Sequence, residues 1–135
     1  AMKFSTQHTA LSTAALLVLA LVLAFPVTGR AFDYIDGFDA VPVMAGMAQT
    51  DDGSLIFDKP GGRILEATIV GPVDHLSAMR FYDQTLRSLG WAPVGPAAIG
   101  KAQYAREDEA LQIEQLDANG DTTLIFRLNP APSDR

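Results

Sequence analysis

Few residues in this chain have both the type and the spacing that chemistry needs. His75 follows Asp74, and a histidine next to a carboxylate suggests a general base with its orienting acid. Neighbouring positions at a helix start point apart, however, and no Ser or Thr is placed to be activated. The expected role of His75 is a solvated first-turn residue. Glu66 and Glu114 fall on two strands, where a carboxylate pair could do acid–base work, but both belong to the face expected to point outward. Glu107, Asp108 and Glu109 read as a solvated turn.

The metal readings are no stronger. Asp117, Asn119 and Asp121 match the first half of a calcium-binding helix–loop–helix motif. The pattern then fails, with Thr122 where the loop needs glycine and Leu128 where it needs a bidentate glutamate. Met44, Met47, Met79 and His75 are soft or borderline ligands of the kind that takes Cu(I). Packing accounts for them more simply. Gly95 to Gly100 lacks the Lys-Ser/Thr and the following helix of a phosphate loop. The chain has no cysteine, which removes disulfides, thiolate metal sites and cysteine nucleophiles. The expectation is therefore a non-enzyme with no catalytic residue, no metal and no cofactor.

The element around which the rest is arranged is Asp74 to Trp91. Leu76, Met79, Tyr82, Leu86 and Leu89 step by three or four residues, which predicts one apolar stripe on a helix. Asp74 is the expected N-cap and Gly90 the expected left-handed residue after the last turn. Phe81 lies off the stripe, so it either widens the buried face or contacts something outside the fold. Trp91 anchors the turn into the next strand. A helix of this length is marginal alone in water and needs a sheet to bury its stripe.

Strands are expected on both sides of it. Leu55-Ile56-Phe57 and Arg63 to Val70 make a hairpin through Lys59-Pro60-Gly61-Gly62, with Leu65, Ala67 and Ile69 on one face. After the helix come an edge segment broken by Pro93 and Pro96, then Lys101 to Arg106, then Leu111 to Glu114. Thr122 to Leu128 is the best strand, with Leu124, Phe126 and Leu128 facing in; the Asn119-Gly120 pair before it is a hairpin signal. The predicted fold is α+β: an antiparallel sheet of five to six strands in the order β-β-α-β-β-β-β, one amphipathic helix packed on one face, and an N-terminal signal or anchor helix in front. The expected division is residues 1–31, an extended apolar leader 32–53, the α+β domain 54–129 and a tail 130–135.

Leu11 to Phe25 is apolar, Lys3 precedes it, and Gly29-Arg30-Ala31 offers a small-residue exit, the order of a secretory signal peptide cut after Ala31. The alternative is a retained single span over residues 10–27, just long enough to cross a bilayer. The expected location is periplasmic or extracellular after cleavage, or the inner membrane with the domain outside the cytoplasm. Beyond Ala31 the chain keeps all 16 acidic residues and loses only Lys3 and Arg30 of the 10 basic ones, a formal charge of −8. That excludes the basic footprint of a nucleic-acid binder and disfavours anionic lipid surfaces.

Phe57-Asp58, Gly62-Arg63-Ile64, the run from Phe81-Tyr82 to Leu89-Gly90-Trp91 and the YAREDEALQIEQ hairpin that begins at Tyr104 resemble a group of small exported proteins of proteobacteria. The resemblance covers Val41 to Leu128. It implies export and this fold outline, and no catalytic residue. Function is therefore expected to be binding: an accessory domain that meets a protein partner in the cell envelope through Val43, Met44 and Met47 of the leader and through Phe81. The alternatives are a membrane-anchored accessory subunit and a small-molecule or lipid binder that uses the open sheet face.

Overall fold

The computed structural model describes Gly29 and residues 31–52, 54–96, 98–117 and 120–132. The signal or anchor reading of residues 1–31 and the span 10–27 therefore lie almost wholly outside the described residues. Of two compact units, the second, Phe32–Arg135, holds the fold.

Its strands are β1 (Ala48–Gln49), β2 (Leu55–Lys59) and β3 (Gly62–Gly71), then helix α1 (His75–Ser88), then β4 (Ala92–Pro93), β5 (Lys101–Arg106), β6 (Glu109–Asp117) and β7 (Thr122–Pro130). All pairings are antiparallel, in the order β1-β3-β7-β6-β5-β4, and β2 also pairs β3. β1 and β2 share one edge of β3: β1 takes Ile69 and Val70, β2 takes Gly62 to Glu66. The α+β layout holds, with seven strands rather than five or six. The added strand is β1, which lies inside the segment read as a leader.

Helix α1 forms where its caps place it. Asp74 Oδ2 accepts from the Ser77 N–H at 2.9 Å. At the other end Gly90 has φ of 89°. The Trp91 N–H reaches the Leu86 carbonyl at 2.9 Å and the Gly90 N–H reaches that of Arg87 at 3.2 Å, the paired closure that ends helices at a left-handed glycine. Ala78, Tyr82 and Leu86 are fully buried, flanked by Met79, Phe81 and Leu89. Leu76 is not on this stripe and is 60% exposed. Three-residue steps rotate the helix short of a full turn, so 76→79→82 drifts well away from the line through Tyr82.

The helix covers one sheet face, built from Leu65, Ala67, Ile69, Tyr104, Leu111, Ile113, Leu124, Phe126 and Leu128. The leader completes this core instead of standing apart from it. Ile35, Phe38 and Val41 are buried, Phe38 meets Phe126 edge-on at 6.2 Å, and a bridge between Tyr34 and Pro42 closes the segment into a loop. Tyr82 fastens it: its hydroxyl donates to the Pro42 carbonyl and accepts from the Met44 N–H, each at 2.9 Å. Arg63 fastens it again through Asp39 at 3.0 Å, while also holding Glu109 of β6 at 2.8 Å.

Candidate functional site

The four residues expected to meet a partner all pack inward. Val43, Met44, Met47 and Phe81 are partly buried against the core, and the Phe81 ring stands edge-on to Tyr82 at 5.0 Å. Phe81 thus widens the buried face. A leader whose Ile35, Phe38 and Val41 fill the core is a wall of the domain, not a peptide that can leave it.

The side chains weighed for chemistry are distributed through the fold without converging. His75 is exposed at the helix start, while Asp74 is engaged by the cap. The cap N–H from Ser77 holds the Asp74 carboxyl below its usual range. Glu66 and Glu114 do share the outer sheet face. Arg127 stands between them, however, bonding Glu66 at 2.7 Å and Glu114 at 2.8 Å, and Lys101 extends the ladder at 3.2 Å from Glu114. Bridged carboxylates are poor proton acceptors; the Arg127 hydrogen bond leads the causes that lower Glu114. Among the described residues, no three His, Asp or Glu side chains converge as metal ligands.

One groove carries a polar cluster that sequence reading did not anticipate. It measures about 360 Å³ and runs between α1 and β5, lined by Met79, Asp83, Arg87, Val94, Ala102 and Tyr104. Asp83 accepts from the Tyr104 hydroxyl at 2.9 Å and from Arg87 Nε at 3.0 Å. Burial works against the Asp83 charge, but those two hydrogen bonds outweigh it and hold the carboxyl below its usual range. Burial, and next the Asp83 carboxylate, push the Tyr104 phenol up. The pair braces the helix against β5 rather than poising a base.

The surface that departs most from an ordinary exterior is β2. Leu55 is 52% exposed, Ile56 62% and Phe57 56%. These are three consecutive large apolar residues on one strand. Register sets their directions. Leu55 lies opposite Glu66 and Phe57 opposite Ile64, on the outer face; Ile56 lies opposite Leu65 and Asp58 opposite Arg63, on the face that carries the leader. Among the described residues β2 pairs with β3 alone, so its other edge presents unpaired backbone donors and acceptors. The sequence identifies the strand but not its exposure. The one available signal is that Leu55-Ile56-Phe57 does not alternate, so at least one of its side chains must face away from a single core.

No protein-family model, no curated protein and no solved structure matches this chain.

Proposed function

We propose that the chain is an exported, non-enzymatic binding domain that acts in the periplasm or cell envelope through protein–protein contacts, with β2 as its contact element. The observation that carries this reading is the exposure of Leu55, Ile56 and Phe57 beside a free strand edge. Isolated surface apolars need no explanation, but large apolar side chains on both faces of an edge strand with open backbone groups are a docking element or a liability. Peptide recognition by strand addition uses both features together, backbone for affinity and alternate side chains for specificity.

The test is photo-crosslinking in the cell from position 57, with position 84 on the exposed side of α1 as control. The expected result is a discrete protein adduct from position 57 and none from 84. Equal labelling from both positions, or none from 57, refutes the reading. Export is tested separately by intact mass: a chain beginning at Phe32 supports cleavage, and retention of residues 10–27 supports a membrane-anchored subunit. A second reading, a small-molecule binder, is favoured by the α1–β5 groove, where Met79 and Ala102 supply apolar lining and Arg87 stands at the polar side.

A further inference from the structure

The two sides of β2 differ, and the difference specifies a partner. On the outer side an added strand would meet Leu55 and Phe57, with Ile64 next in the row. On the other side it would meet Ile56 and Asp58, and here the leader loop lies close. A side-chain carbon at Gly37 would sit 3.8 Å from Ile56 Cδ1. Gly37 follows Asp36, and Asp39 lies two residues on; both acids are exposed. The loop is tied to the start of β2, since the Asp36 N–H donates to Gln49 Oε1 at 2.9 Å and Gln49 Nε2 reaches Ser54 at 3.3 Å. Asp51 and Asp52, also exposed, precede the strand. The cations nearby do not balance these acids: Arg63 already holds Asp39 and Glu109, which leaves Lys59 at the far end of β2.

From this placement we propose that β2 accepts an extended segment of a basic partner protein, added as a further strand, whose side chains alternate between apolar and Lys or Arg. This rests on the reading of β2 as the contact element. Side chains in a strand alternate faces, so one set of the partner's residues packs on Leu55 and Phe57. The other set lays aliphatic stems over Ile56 and points its charges at Asp36 and Asp58, Asp39 being held by Arg63. A second copy of this chain is disfavoured by the same acids. Antiparallel self-pairing centred on Phe57 sets each copy's Asp58 opposite the other's Ile56, beside which the acidic leader loop lies, like charge near like.

The probe is a fluorescent eight-residue peptide of alternating valine and lysine, titrated into the full chain and read by anisotropy. Saturable binding is expected. It should weaken roughly tenfold between about 50 and about 300 mM salt, since a few partly exposed ion pairs are at stake. Phe57→Ser should abolish binding and Asp58→Asn should weaken it roughly threefold, with unchanged far-ultraviolet circular dichroism in both. N-methylation of alternate backbone nitrogens on the strand-pairing side should abolish it as well, because strand addition needs those donors. The proposal is overturned if a valine–glutamate peptide binds equally well. It is overturned too if N-methylation on the strand-pairing side has no effect, or if the chain dimerises through Phe57 and ignores the peptide. A position-57 adduct with a protein that lacks a basic strand sinks this inference and leaves the contact role of β2 standing. Absence of any adduct removes both.

Discussion

Replacing Tyr82 by phenylalanine tests the claim that the leader belongs to the core. The ring keeps its contacts, including Phe126 at 4.9 Å, while the hydroxyl that joins the Pro42 carbonyl and the Met44 N–H disappears. Two hydrogen bonds contribute roughly 1 kcal/mol each, and leaving their partly buried partners unpaired adds to the cost, so the expected loss is about 2–3 kcal/mol. For a domain of this size that lowers Tm by on the order of 10–20 °C. The same variant has a pH signature. Burial pushes the Tyr82 phenol from 10.0 up to about 12. Below pH 10 the phenol is neutral in both folded and unfolded chains, and its contribution is complete. Between pH 10 and about 12 only the unfolded chain ionises there, so stability falls as pH rises. Once the folded phenol also titrates, the loss levels off at about 3 kcal/mol. The Tyr104 phenol, also pushed up, adds to the alkaline loss in both proteins, so the difference between them isolates Tyr82. Urea unfolding followed by circular dichroism at neutral and alkaline pH measures both effects. A variant within about 0.5 kcal/mol of the parent at neutral pH, or one with the parent's full alkaline loss, would refute the clamp.

Three further substitutions probe other joints. Gly71→Ala should prevent folding or cost more than about 3 kcal/mol by urea titration, because the new Cβ would overlap the Gly46 carbonyl oxygen and lie 2.8 Å from Met47 Cα, both backbone. Trp91→Phe should cost less than about 1.5 kcal/mol, against about 3–5 for Trp91→Ala. Among the described residues the buried Trp91 indole N–H has no hydrogen-bond partner, and its removal offsets part of the lost volume; chemical denaturation of the pair checks this. Arg127→Met should destabilise the domain at low salt, by leaving Glu66 and Glu114 facing each other, and the deficit should shrink in thermal melts as salt rises.

Local signals were legible where local physics decides. The caps at Asp74 and Gly90 fix both ends of α1 with backbone groups a few residues away, and Leu124, Phe126 and Leu128 alternate cleanly into the core. The leader was not legible as core. Ile35, Phe38 and Val41 step by three, but Asp36, Asp39 and the positive-φ residues Gly37 and Ala40 between them rule out a helix; a tight loop brings them to one side. Leu76 was misassigned because three-residue spacing near a helix start satisfies a pattern without satisfying the rotation. Asp83 and Tyr104 lie far apart in sequence, on elements whose approach only packing determines.

The exposure of β2 follows from the same packing. β3 runs from Gly62 to Gly71, while the cover supplied by α1 and the leader buries alternate residues only from Leu65 onward. The first three residues of β3 thus reach past the core, and β2, paired to Gly62 through Glu66, lies mostly beside them. Leu55 and Phe57 leave about half of their surface in solvent, at 52% and 56% exposed. An edge of this kind invites unwanted pairing, and natural edges are kept short and charged to prevent it. β2 has five residues, ends in Asp58-Lys59 with Pro60 directly after it, and is bordered by Asp36, Asp39, Asp51 and Asp52. Those acids do not make the strand less apolar. On the reading proposed above, they disfavour pairing between identical copies while leaving the strand open to a chain of opposite charge.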